Sequence, residues 1–303
     1  MKTLILGGSG FVGSHMKSRS PKWSETSVVG SNVDIRDKKA LSSLIEITQP
    51  DYVVNLASIT TVRETVSSPK DAYDISFYGT LNILEVLRDQ AFHGTFLYIS
   101  SSEVYGYPDV SKLPLNESSI LNPMSPYSVG KLAAEYLCSF WQKDNNFKIV
   151  IARPFTHIGP GQSERFSIAS FSNQISKIVQ LKQDPIIKVG DLNTTRDFTD
   201  VRDIVDAYWL ILEHGKAGEI YNVCSGIERK ISFVLKKLIF LSNKIIDVKI
   251  ESDRLRVSEQ QRILGSAKKL EEDTGWRPAI DFEETLKDML NYYLQKDHNK
   301  LDV

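Results

Sequence analysis

Along this chain, short apolar runs alternate with longer stretches in which apolar residues recur every three or four positions. Buried strands alternating with amphipathic helices give this pattern. The first apolar run, 2–6, breaks into Gly7-Gly8-Ser9-Gly10-Phe11-Val12-Gly13 and leads into a helical pattern over 11–18. Strand-like runs follow at 26–30, 52–56, 95–99 and 147–152, and another ends at Cys224. Helical periodicity covers 38–48, then 69–90 opened by Pro69, then a stretch from Tyr127 to about residue 143 opened by Pro126. Proline suits the first turn of a helix, where its missing N–H is not needed. Strand and helix in alternation predict an α/β fold with a parallel sheet covered on both faces.

The glycine stretch sharpens this. Between a buried strand and a helix, Gly7 permits a tight turn, Gly10 lets backbone N–H groups approach a pyrophosphate, and Gly13 lets the helix pack close to the strand. With Phe11 and Val12 opening the helix, this is a dinucleotide cradle in a Rossmann-type doubly wound sheet. At 303 residues the chain is long for one domain and short for two independent ones. We expect a dinucleotide-binding domain over 1–158, completed by about 196–224. A smaller C-terminal substrate-binding lobe is expected from 159–195 and 225–303.

Charge and composition narrow the partners. A formal net charge of −1 with 25% charged residues supplies no basic field for nucleic acid, so a small molecule is the expected ligand. The N-terminal apolar core is too short for a signal peptide and no run approaches membrane-spanning length, which predicts a cytoplasmic protein with no membrane partner. Cys138 and Cys224 have no CxxC spacing and the five histidines are scattered, so no metal site is expected.

Ser31 stands at the end of the second strand, where an NAD site usually carries an acid for the ribose hydroxyl. Asp34 lies about 20 residues beyond the glycine turn, the fingerprint distance. With no acid at position 31 to repel a 2′-phosphate and with Arg36 close by, the lean is to NADP(H) over NAD(H).

Tyr127 and Lys131 are four residues apart, hence on one helix face, and a cation there is expected to favour the phenolate. Ser100-Ser101-Ser102 ends the strand upstream. The glycine turn, the serine and this Tyr127-Ser128-Val129-Gly130-Lys131 segment together resemble the extended short-chain dehydrogenase/reductase superfamily, with its GxxGxxG and Ser…YxxxK set. The resemblance implies catalytic roles for Ser101, Tyr127 and Lys131. It also places Glu103 where sugar-nucleotide 4,6-dehydratases keep a glutamate. For the cofactor it implies contacts from Asp34 and Ile35 to adenine and from Leu56, Ala57 and Ser58 over ribose and phosphates. Ser76 takes the place of a usual Asn near the nicotinamide, and Ser100 and Pro154 fall on the cofactor side.

From Arg153-Pro154-Phe155-Thr156-His157-Ile158-Gly159-Pro160-Gly161-Gln162 through segments 185–190, 196–204 and 220–226, the chain is similar to reductases of GDP-linked 4-keto-6-deoxy sugars. These form GDP-D-rhamnose for cell-surface polysaccharides such as lipopolysaccharide. That likeness implies substrate contacts from Ser101, Ser102, Glu103, Tyr127, Thr156, Lys188, Arg196 and Arg256, with the two arginines clamping the diphosphate. Thr156 and Val257 depart from the usual Asn and Pro. The competing readings are a 4,6-dehydratase or C4 epimerase, for which Glu103 would move protons, and a non-catalytic nucleotide-binding protein. A homodimer is expected, because Ala133, Ala134, Tyr136, Leu137, Phe140 and Trp141 surround more of the Tyr127 helix than one buried stripe needs.

Overall fold

The computed structural model describes residues 1–21, 25–27, 33–59, 62–144, 146–254 and 260–298. Its centre is a six-stranded sheet in the order Ile220–Val223, Lys148–Pro154, Thr95–Ile99, Tyr52–Asn55, Lys2–Leu6, Glu25–Ser27. Every neighbouring pair is parallel. Parallel strands need helical crossovers, so both faces are covered. Alternation along each strand divides the core accordingly. Val53 points to the face packed by helices Lys38–Thr48, Thr80–Asp89 and Pro126–Asp144, whereas Val54 points to the face packed by Phe11–Ser18, Val201–His214 and Lys268–Thr274.

Chain order reverses beside Lys2–Leu6, between its neighbours Glu25–Ser27 and Tyr52–Asn55. Such a switch point opens a crevice beyond the carboxyl ends of the strands, where α/β sheets bind ligands. The helices flanking it start on carboxylate caps. Asp37 accepts from the Lys39 and Ala40 amides, and Asp200 accepts from the Arg202 amide, each cap being worth about 1 kcal/mol.

A second core belongs to the smaller lobe. Helices Ser167–Val179, Ile231–Leu241 and Phe282–His298 pack around Ile187 and Val189 of the strand Ile186–Val189, which pairs in parallel with Asp247–Ile250. The segment leading to the last helix is tied back to the sheet domain at Asp203, whose carboxylate accepts from the Ala279 and Ile280 amides at 3.1 Å each.

Two boundaries differ from the sequence reading. The helix expected over 69–90 is Pro69–Tyr73, a π-helical turn Asp74–Gly79 and Thr80–Asp89. The wide turn brings Ser76 against Gly130 of the Tyr127 helix, a rearrangement periodicity cannot show because π turns interrupt helices that remain amphipathic. The strand expected to stop at residue 152 runs to Pro154, which is tolerated at a strand end and pairs with Val223. The second strand is described over Glu25–Ser27; the rest of the expected run, 28–30, lies outside the described residues, as do Ser31 and Arg256. Among the described residues, no helix is long and apolar enough to cross a membrane.

Candidate active site

The glycine turn sits at the end of Lys2–Leu6, in the crevice. Gly7 has φ +82°, in the left-handed region, and a Cβ there would lie 2.9 Å from the Ala57 amide nitrogen. A Cβ on Gly13 would lie 2.6 Å from the Gly7 carbonyl oxygen. The turn is thus pressed against the Leu56-Ala57 corner on one side and its own helix on the other, and only glycine fits. At Gly10 a Cβ would meet one protein atom, the Gly7 oxygen, at 3.3 Å. That side of the turn faces outward at the N-terminus of Phe11–Ser18, where free amides and the helix dipole favour a phosphate. Next to it, Val33, Asp34, Ile35, Arg36, Ala57, Ser58 and Ile75 line a cleft. Of the residues expected to contact the cofactor there, Asp34, Ile35, Ala57 and Ser58 share one hollow adjoining the turn. Arg36 and Asp34 form a bidentate pair there, with Nε 2.9 Å from both carboxylate oxygens. The guanidinium holds the Asp34 carboxyl below its usual range. Phe11 is stacked on His157, ring centroids 6.2 Å apart, and the His15 Nε2 lies 2.7 Å from the Pro160 carbonyl oxygen, which joins the turn to the segment entering the small lobe.

Further along the same edge, Ser101 caps the short 3-10 turn Ser102–Tyr105 by accepting from the Glu103 amide at 3.2 Å. The Tyr127 phenol lies near its hydroxyl, which works to lower the phenol's pKa. Lys131, one helical turn on, is 3% exposed and donates from Nζ to the Ile99 carbonyl at 2.7 Å; its ammonium is 5.9 Å from the Tyr127 ring centroid. Burial depresses Lys131 to about 8, against the opposing charge of Glu135. Burial also raises Tyr127 to about 12; Ser101 works against the rise and Glu103 adds to it. This differs from the expected tuning by Lys131: the ammonium is bonded to a carbonyl, and desolvation dominates. Glu103 is partly buried and raised by desolvation, with Arg196 opposing. Arg196 donates through Nη1 to the carbonyls of Thr195 at 2.6 Å and Gln260 at 3.1 Å.

Ser101, Glu103, Tyr127, Lys131 and Arg196 therefore converge. Other expected contacts are placed differently. The Ser100 hydroxyl is turned inward and donates to Glu135, Ser76 is buried, and the Lys188 ammonium pairs at the surface with Glu251 at 3.0 Å. Pro154 and Ser102 are buried. Thr156 is partly buried and accepts through its carbonyl from the Thr199 amide at 3.0 Å. Among the described residues, no group of three His, Cys, Asp or Glu side chains is placed to hold a metal ion.

A family profile described as GDP-mannose 4,6 dehydratase matches residues 18–289. The chain belongs to this family. It is one branch of the extended short-chain dehydrogenase/reductase (epimerase/dehydratase) superfamily. A GDP-6-deoxy-D-mannose reductase from Pseudomonas aeruginosa is 39% identical over 294 residues, covering 96% of each chain. The solved structure of RMD from Pseudomonas aeruginosa complexed with NADPH aligns with a TM-score of 0.93 at 38% identity, covering 97% of this chain and 99% of that one. A GDP-6-deoxy-D-talose 4-dehydrogenase from Aggregatibacter actinomycetemcomitans is 28% identical, covering 89% of this chain and 90% of its own.

Sequence reading missed the layer beneath Ser101, Tyr127 and Lys131. Glu135 lies one further turn along the face of Tyr127 and Lys131, and it forms a buried ion pair with Arg153, Nη2 to Oε2 2.6 Å. The repeat of polar residues at 127, 131 and 135 was the available signal. It passes for an ordinary solvated stripe until the helix is seen packed on the sheet.

Proposed function

We propose that the protein is an NADPH-dependent reductase of a GDP-linked 4-keto-6-deoxy sugar, converting GDP-4-keto-6-deoxy-D-mannose to GDP-D-rhamnose. The setting is the cytoplasmic supply of cell-surface polysaccharide precursors. The observation that carries this is the convergence of the Tyr127 phenol with Ser101 and with a buried Lys131, whose ammonium lies 5.9 Å from the Tyr127 ring centroid. A phenol so placed can give a proton to a neighbouring oxygen. The names of the relatives support the same reading, including the NADPH of the solved neighbour.

The residues present fit the cofactor. Gly10 leaves backbone amides uncovered where a pyrophosphate would lie, and the cleft between Asp34 and Ser58 suits the adenosine end. When bound, NADPH supplies a hydride to C4 of the keto sugar and leaves as NADP⁺. The chain's part is the rest. Arg196, with Arg256, holds the diphosphate, and Ser101 donates a hydrogen bond to the oxygen on which charge builds. Tyr127 transfers its hydroxyl proton to that oxygen, so the carbonyl becomes a secondary alcohol. Lys131 offsets the negative charge that Tyr127 then carries.

The competing reading is a dehydratase, and the observation that favours it is Glu103 beside Tyr127. Purified protein supplied with the 4-keto sugar and NADPH should consume NADPH at 340 nm and yield GDP-D-rhamnose by NMR. Conversion of GDP-mannose with no added reductant would overturn the assignment in favour of the dehydratase.

The active unit in this reading is a homodimer. Of the apolar residues on helix Pro126–Asp144, Ala134 and Trp141 are buried in the core, whereas Tyr136 is 63% and Phe140 64% exposed. Tyr78, on the neighbouring π turn, is exposed as well. A second copy covering that face by a two-fold contact accounts for it.

A further inference from the structure

One polar cluster lies entirely under the reacting residues and takes no part in the steps above. Glu135 is 2% and Arg153 1% exposed. Arg153 donates from Nε to both Glu135 oxygens at 3.0 and 3.2 Å, from Nη2 at 2.6 Å, and from Nη1 to the Tyr105 hydroxyl at 3.0 Å and the Glu117 carbonyl at 3.2 Å. Tyr105 in turn donates to Asn222 at 2.7 Å. On the other side Glu135 accepts from the Ser100 hydroxyl. Ser100 and Tyr105 are the two ends of the loop that carries Ser101 and Glu103. Both ends are fastened to the same ion pair, and one member of that pair sits on the helix of Tyr127 and Lys131.

We infer that Glu135 and Arg153 are positioning residues: the pair clamps the Ser101 loop against the Tyr127 helix and sets a buried carboxylate one helical turn from Lys131. A buried pair is a poor source of net stability compared with apolar packing, so its value here lies in fixing geometry and charge. The groups facing Lys131 are few. Tyr127 and Glu135 come from its own helix and Tyr98 from the adjoining strand, its ring centroid 5.3 Å from the ammonium. Arg153 lies behind Glu135, and the Cys138 thiol, pushed up by burial, is neutral. Glu135 is thus the nearby anion that opposes the desolvation of Lys131. Removing its charge lets Lys131 lose its proton at a lower pH.

This inference rests on the reading of Tyr127 and Lys131 as the reacting pair, and the test separates the two. With NADPH and the 4-keto sugar, Glu135→Gln should lower kcat at neutral pH about 10- to 100-fold, as misplacement near 1 Å does. It should also move the alkaline limb of the kcat profile down by about one pH unit, with the KM for NADPH changed less than threefold. Glu135→Asp should bring the limb back while kcat stays reduced, because the charge returns on a shorter arm. If Glu135→Gln is unfolded because it strands the Arg153 charge, the double variant Glu135→Gln, Arg153→Gln removes both charges and is read in the same way. A profile in which either folded variant loses melting temperature but keeps its kcat and alkaline limb shows a merely structural pair and overturns the inference. Lys131→Met and Tyr127→Phe run alongside: if they remain active, the catalytic reading itself has failed, whatever Glu135 does.

Discussion

The three glycines of the cradle should fail in three different ways when each is replaced by alanine. At Gly7 the left-handed φ of +82° costs an L-residue about 1–2 kcal/mol, and the added Cβ, 2.9–3.2 Å from the backbone of Leu56 and Ala57, adds about 1–3 kcal/mol of overpacking. The sum, about 2–5 kcal/mol, is a large part of an ordinary domain's stability. Gly13→Ala meets the Gly7 and Gly8 backbone at 2.6–2.8 Å and should cost about 1–3 kcal/mol, since neither partner is a flexible side chain. Gly10 is the informative case. Its φ of −68° and ψ of 175° suit any residue, and the methyl group meets one protein atom, the Gly7 oxygen, at a tight 3.3 Å. Stability should change by no more than about 1 kcal/mol in either direction, relief through the unfolded state opposing that contact. The methyl group occupies the approach to the turn's amides, so NADPH affinity should fall about 10- to 100-fold, the equivalent of one charge-assisted hydrogen bond. Thermal melting and an NADPH fluorescence titration on each variant measure both quantities. A Gly10→Ala protein that binds NADPH like the parent would refute the placement of the pyrophosphate.

Tyr127→Phe should leave NADPH and GDP binding within about twofold while lowering kcat by about 10²- to 10⁴-fold, the range for loss of a positioned acid; single-turnover absorbance at 340 nm and a cofactor titration separate the two. The reductase rate should be flat through neutral pH and fall tenfold per unit above about pH 8, where the buried Lys131 loses its proton; a stopped-flow profile still flat at pH 9.5 contradicts the role given to Lys131. Phe140→Glu places a charge on a side chain that is 64% exposed. It should leave folding within about 0.5 kcal/mol and convert a dimer to a monomer in light scattering; a parent protein that is already monomeric removes the dimer.

Most of the sheet was legible in the sequence because buried parallel strands and their crossover helices have different periods. Helices Phe11–Ser18 and Lys38–Thr48 fall where the pattern put them. The cradle was legible for another reason: each glycine answers a separate steric demand, and those demands follow from strand, turn and helix in succession. What could not be read is where long side chains end. Lys188 and Arg196 are both cations in matched segments, yet one reaches Glu251 at the surface of the small lobe and the other turns in beside Glu103. Ser100 and Ser101 are adjacent, and their hydroxyls go opposite ways because successive residues at the end of a strand alternate faces. The Glu135–Arg153 pair joins a helix to a strand 18 residues later, a contact that depends on how the helix is rotated on the sheet.

The ionisation of Tyr127 bears on the direction of the chemistry. A 4,6-dehydratase or an epimerase begins by oxidising C4, which requires the tyrosine to accept the sugar hydroxyl's proton and therefore to start as phenolate. Desolvation pushes Tyr127 up, toward the phenol. A reductase begins at the opposite end, with the proton already on the phenol, and asks only that the charge left behind be tolerated. The cation for that purpose is Lys131, held dry and kept charged near neutrality by an anion one turn away. Glu103, partly buried, weakened in acidity by desolvation and opposed by Arg196, pushes Tyr127 in the same direction.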